Sequence, residues 1–137
     1  MHLNSMKNFR EFTSPSGIKI LAGKSAESNE ALVKQVGDNE FVFHTAAPGS
    51  PFVNIKADAD TGKVKIEDIQ FAAVICARYS QVWKKSKRLA ILVDKFLGKD
   101  IFKTKEMKLG TFGIKRCGTM IVFKNKIEEF IKLKEKK

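Results

Sequence analysis

The sequence predicts an α/β fold in a single domain: a mixed β-sheet of about seven or eight strands, two main helices and a short C-terminal helix, in the order ββαββαββββα. Three observations carry this reading. The chain has 137 residues, 43% of them hydrophobic, enough for one core and too apolar for a disordered basic tail. Short runs rich in β-branched and aromatic residues recur between Gly- and Pro-containing turns. One longer segment, 66–83, carries apolar residues at helical spacing. The domain is read as 1–137, with a core over about 9–123 and a basic C-terminal helix and tail over 124–137.

Phe9–Thr13 and Ile18–Ala22 flank Ser14-Pro15-Ser16-Gly17, where proline presets a turn φ and glycine permits a positive one, so a hairpin opens the chain. Ser25 then suits the cap of a helix over about 26–36, with Leu32, Val33 and Val36 as its buried stripe. Phe41–Thr45 and Phe52–Lys56 read as strands joined by the rigid Pro48-Gly49-Ser50-Pro51. Ile66 to about Trp83 reads as the longest helix, with Ile69, Ala72, Ala73, Cys76 and Tyr79 at helical spacing. Strands are expected at Leu89–Asp94, Ile101–Thr104, Thr111–Arg116 and Thr119–Phe123, with Cys117-Gly118 as a hairpin turn. Ile127, Phe130, Ile131 and Leu133 mark the last helix.

Charge is the most informative feature for function. The net charge is +11, from 26 Lys and Arg against 15 Asp and Glu. Residues 1–83 hold nine of each sign, so the whole excess lies after Trp83, where 17 basic residues face six acidic ones. Such asymmetry points to an anionic partner. The longest apolar run, Phe71–Ala77, is far short of the roughly 20 residues needed to span a bilayer, which leaves nucleic acid ahead of a membrane. The first ten residues show no secretory h-region, and Cys76 and Cys117 form neither a metal pair nor a disulfide framework, which suits the cytoplasm.

Several motifs fail on spacing. Gly23-Lys24-Ser25 lacks the earlier glycine of a phosphate-binding P-loop, because position 18 is Ile18. Asp58-x-Asp60-x-Gly62 misplaces the glycine of a calcium loop and has Ile69 at its twelfth position. Gly110-Thr-Phe-Gly113 matches an RNA-clamping Gly-x-x-Gly but lies among strand signals. His44 and Cys117 have no supporting spacing for a catalytic dyad, and no His, Cys and carboxylate cluster suggests a metal. No cofactor is expected.

What survives is basic and aromatic: Trp83, Lys84, Lys85, Lys87 and Arg88 at the end of the long helix, extended by Lys103, Lys105 and Arg116. Lysine and arginine neutralise phosphates, while an aromatic face can stack a base. Lys24, at a strand-to-helix turn beside free helix amides, is a further phosphate contact.

Four segments in order resemble the NFACT-R domain, the RNA-binding module of the NFACT proteins of ribosome-associated quality control. They are Phe9-Arg-Glu-Phe-Thr-Ser-Pro-Ser-Gly-Ile18, Gly23-Lys24 with Asn29-Glu30, Phe41-Val-Phe-His44 with Pro48-Gly-Ser-Pro51 and Val53-x-Ile-Lys56, and Tyr79-Ser80-x-x-Trp83. The resemblance nominates Lys24, Asn29, Glu30, His44, Lys56, Ser80 and Trp83 as the family-type site or its support. It implies a stand-alone, non-catalytic domain that binds structured RNA, tRNA or rRNA, in translation or ribosome quality control. Phe102-Lys103-Thr-Lys105-Glu106 lacks the proline and glycine of the family's Lys-x-Pro-Lys-Gly run, which weakens contacts placed there. The alternatives are an adaptor that binds a ribosomal or RNA-modifying protein through Phe12, Phe41 or Phe112, a DNA-binding module, and an RNA-modifying enzyme using His44 or Cys117.

Overall fold

Ser14 to Ile18 closes the first hairpin by the bonds its turn residues allow: the Ser14 amide donates to the Ile18 carbonyl at 2.8 Å, and Gly17 takes a φ of 87°. That turn lies in a computed structural model that describes residues 9–86 and 88–134. Strands β1 (Arg10–Thr13) and β2 (Lys19–Ala22) flank it, followed by helix α1 (Ala26–Lys34), then β3 (Glu40–Thr45) and β4 (Val53–Asp58). Helices α2 (Ile66–Arg78) and α3 (Gln81–Ser86) lead to β5 (Ala90–Leu97), the two-residue strands β6 (Ile101–Phe102) and β7 (Gly113–Ile114), β8 (Gly118–Phe123) and α4 (Lys124–Lys134).

Six strands form one sheet in the order β1-β2-β4-β3-β5-β8, and every pairing in it is antiparallel. On one face Ile20, Phe43, Val53, Ile55, Ile91, Val93 and Val122 pack against the apolar sides of α2 and α4. On the other, Leu21, Val42, Phe52 and Phe96 pack against Leu32 of α1. Strand β2 is therefore buried on both faces, which explains its unbroken apolar run Ile20-Leu21-Ala22. Asn54, fully buried in β4, is satisfied by Gln35 of α1 at 3.0 Å and the Phe41 carbonyl at 3.1 Å.

Three expectations change. The helix read from Ile66 to Trp83 is two helices. Ser80 breaks it: its hydroxyl donates to the Ala77 carbonyl at 2.6 Å and accepts the Trp83 amide at 3.2 Å, ending one helix and capping the next. Cys117-Gly118 is not a hairpin turn, because β7 pairs with β6 in a separate ribbon while β8 pairs with β5. The core does not stop near residue 123: Ile127 and Phe130 of α4 are buried against the sheet face that α2 covers.

Candidate nucleic-acid interface

The site begins at the turn into α1. Ser25 caps the helix by accepting the Ser28 amide at 3.1 Å, and the Ser28 hydroxyl accepts the amides of Lys24 at 2.6 Å and Ser25 at 2.9 Å. The side chain of Asn29 packs so closely on Gly23 that any Cβ there would collide with it. Its Oδ1 accepts the Phe52 amide at 3.1 Å, which pins α1 to β4. Asn29 thus has a bracing role, and Lys24 stands exposed beside it.

Glu30 braces the loop that follows β6. Its Oε1 accepts the Gly110 amide at 2.6 Å and the Lys103 ammonium at 3.1 Å. Its pKa is held below the usual carboxylate value, first by the Gly110 amide and also by Lys103, against the opposing effect of burial. Lys103 also donates to the carbonyls of Lys108 at 2.6 Å and Thr111 at 2.9 Å. All three ammonium donors are used within the protein. Lys103, expected from its charge to contact phosphate, therefore braces the loop. Gly110, with a φ of 80°, packs against the backbone of Ala26, so its Gly-x-x-Gly stretch is a packed connection.

These braces enclose a cleft of about 340 Å³ lined by Asn29, His44, Gly49, Phe52, Asp94 and Phe112, among others. His44 on β3 lies directly opposite Asp94 on β5, and Asp94 lies opposite Thr119 on β8. The Thr119 hydroxyl donates to Asp94 Oδ1 at 2.9 Å. His44 Nδ1 lies 2.8 Å from the Thr45 carbonyl and can only donate to it, so Nδ1 carries a proton. Burial lowers the His44 pKa, while the Thr45 carbonyl and Asp94 oppose that shift. The imidazole stacks obliquely on Phe52, with ring centroids 4.6 Å apart. Asp94 and Phe52 were not anticipated as site residues. The alternation of Leu92, Asp94 and Phe96 puts Asp94 on the face of Phe96, but only the strand order reveals His44 as its neighbour.

The remaining nominated residues separate into braces and exposed cations. Lys56 pairs with Glu40 at 2.7 Å and is a brace. Ser80 is the helix cap already described. Trp83 is only 3% exposed, so it supports the region from the core and offers no face to a base. Tyr79 is flanked by Arg10 at 4.0 Å and Arg78 at 4.8 Å. Lys24, Lys84, Lys85, Arg88 and Lys105 are exposed and make no ion pair among the described residues. Arg116 is 87% exposed and lies 4.0 Å from Asp100. Lys87 lies outside the described residues. The platform reaches the cleft at two places: Lys24 precedes Ala26 on its wall, and the Gln81 amide at the start of α3 donates to Gly49 at 2.7 Å on its rim.

Nucleophilic chemistry finds no activated group here. Burial pushes the Cys76 thiol up to about 12, and partial desolvation with the charge of Asp94 raises that of the exposed Cys117. Among the described residues no group of three or more His, Cys, Asp or Glu side chains could hold a metal ion. No helix there is long and apolar enough to cross a membrane.

Comparison with known proteins agrees with this architecture. A family model described as the NFACT protein RNA binding domain matches residues 8–116. The archaeal Rqc2 homolog aRqcH of Methanocaldococcus jannaschii is 32% identical over 75 residues, covering 54% of this chain and 11% of that protein. The solved C-terminal part of the fibronectin/fibrinogen-binding protein from Streptococcus suis superposes with a TM-score of 0.76 at 22% identity, over 89% of this chain and 48% of that one. The chain thus spans a tenth of the curated relative and about half of the solved chain.

Proposed function

The chain belongs to the NFACT protein RNA-binding domain family, and on that premise we propose that it is a non-catalytic domain that binds structured RNA, tRNA or rRNA, in cytoplasmic ribosome quality control. The observation that carries the reading is the way charge is spent. The acidic side chains Glu30 and Glu40 engage cations that hold the fold, Lys103 and Lys56. Lys24, Lys84, Lys85, Arg88 and Lys105 are left exposed, with no ion pair among the described residues. Released counterions then supply much of the affinity, and the cleft adds recognition.

Salt dependence tests this directly. With about six phosphates neutralised, log affinity for an RNA hairpin falls against log salt with a slope of about −4 to −5. Combined replacement of Lys84, Lys85, Lys87 and Arg88 by Ala weakens binding and flattens the slope. Affinity that ignores salt, or survives the combined replacement, overturns the reading. A duplex DNA of the same sequence in parallel separates RNA from DNA binding.

A protein-binding adaptor is the second reading, and one observation favours it. Leu92, Ile121 and Phe123, on adjacent strands β5 and β8, are 49%, 56% and 55% exposed on the α1 side of the sheet, at its β8 edge. Phe12, Phe41 and Phe112 do not form such a patch, since all three are half-buried against the core clusters. Ile121→Asp abolishes partner capture under this reading and leaves RNA affinity intact under the first.

A further inference from the structure

We propose that the cleft between β3, β5, α1 and the 103–112 loop receives one unstacked base of the bound RNA, and that Asp94 selects it by its hydrogen-bond donors, favouring guanine. The inference rests on the RNA-binding reading and assigns the base class that the cleft takes.

Size comes first. Ligand clefts run from about 300 to 1,000 Å³, and this one, at about 340 Å³, has room for a single base. Its floor is aromatic: Phe52 meets Phe112 edge-on at 5.5 Å and Phe96 at 6.4 Å, and His44 lies over Phe52. Such rings suit a flat, unpaired base of a loop or bulge.

The polar groups then decide which base. Asp94 makes no ion pair among the described residues, although the second part of the chain holds 17 basic residues. A carboxylate facing a phosphate would repel it, so its place on the wall of a cleft in an RNA-binding domain calls for a ligand that donates. Thr119 fixes one carboxylate oxygen with its hydroxyl, leaving further lone pairs to accept. The neighbouring His44 has its Nδ1 proton committed to Thr45, so the other ring nitrogen of the neutral imidazole is also an acceptor. Two acceptors side by side match a donor edge. Guanine presents N1–H and the N2 amino group together. Adenine and cytosine present one amino group beside an acceptor, and uracil presents one N–H between two carbonyls. A planar two-donor edge can engage a carboxylate bidentately, as in the strong carboxylate pairs of arginine.

Hairpins that share a stem and differ in one unpaired loop base test the assignment by equilibrium binding at fixed salt. The guanine loop is expected to bind about tenfold more tightly than the uracil loop, the discrimination of one good bidentate pair. Inosine in place of guanine removes the N2 donor without touching the protein and lowers affinity severalfold. Asp94→Asn, which turns one acceptor into a donor, collapses the difference between the guanine and uracil loops. Equal binding of all four loops, no loss with inosine, or a guanine preference that survives Asp94→Asn overturns the inference. If salt-dependent binding persists in those cases, the RNA-binding reading stands without it. Absence of binding to every hairpin overturns both.

Discussion

The Glu30 carboxylate accepts the amide of Gly110 at 2.6 Å, across 80 positions of sequence, and so ties the first helix to the wall of the cleft. The bond is charge-assisted and part-buried, which puts it among the stronger contacts of the fold.

Glu30→Ala removes both that bond and the Lys103 contact. The loss is expected to cost about 2 kcal/mol of stability. Hydrogen exchange at Gly110 accelerates with it, and RNA affinity falls although Glu30 touches no ligand in this account. Because the Glu30 pKa is depressed, its contribution is present above the ordinary carboxylate value of 4.5 and is lost as pH falls through the lower folded value. Thermal melts of the wild type and the variant converge there if the assignment is correct.

Lys103 and Lys105 separate brace from platform. Lys103→Ala lowers the unfolding midpoint, because it deprives Glu30, Lys108 and Thr111 of a shared donor. Lys105→Ala leaves stability within about 0.5 kcal/mol of wild type and lowers the salt slope of RNA binding by about one. Paired melting and binding measurements tell the two apart. A fully stable Lys103→Ala protein would contradict the brace.

His44 titrates in the opposite sense to a stabilising cation. Its folded pKa lies below the ordinary 6.5, so the unfolded chain takes up the proton first. Stability from the neutral imidazole is therefore full above 6.5 and declines as pH falls through the folded value. His44→Gln flattens this stretch of the stability profile, measured by denaturant midpoints between about pH 7.5 and about pH 5.

Asp68 locks the first hairpin to α2. One oxygen accepts the Ser16 amide at 2.9 Å and the other the Lys65 amide at 2.8 Å, and the residue is fully buried. Asp68→Ala leaves both amides without partners, at a cost of about 2–4 kcal/mol. Chemical denaturation is the direct check, and a loss below about 1 kcal/mol would show that water replaces the carboxylate.

The hairpin, α1 and the strand segments were legible because each depends on local chemistry: Pro15 and Gly17 in the turn, Ser25 at the cap, runs of β-branched and aromatic residues in β3 and β5. The break at Ser80 was not legible, because Val82 and Trp83 continue the helical spacing across it while the capping bond runs only through the folded backbone. Strands β6 and β7 fall within the expected segments 101–104 and 111–116, but their pairing as a separate two-stranded ribbon was not legible, because it is set by contacts of the folded chain. For the site, charge density nominated Lys24, Lys84, Lys85, Arg88 and Lys105, and these side chains are exposed. It also nominated Lys103, whose carboxylate partner lies 73 positions away and is invisible to a reading of local charge. Asp94 escaped notice for the same reason, since a lone acid among lysines gains meaning only from its neighbours across the sheet.

The sheet order also carries a temporal consequence. His44 comes from the charge-neutral part of the chain and Asp94 from the basic part, and they meet only because β5 inserts between β3 and β8. During synthesis the first four strands and α2 emerge with neither the surplus of cations nor the second wall of the cleft. A chain interrupted after α2 therefore lacks both. Both arrive only with the segment that runs from α3 to β8.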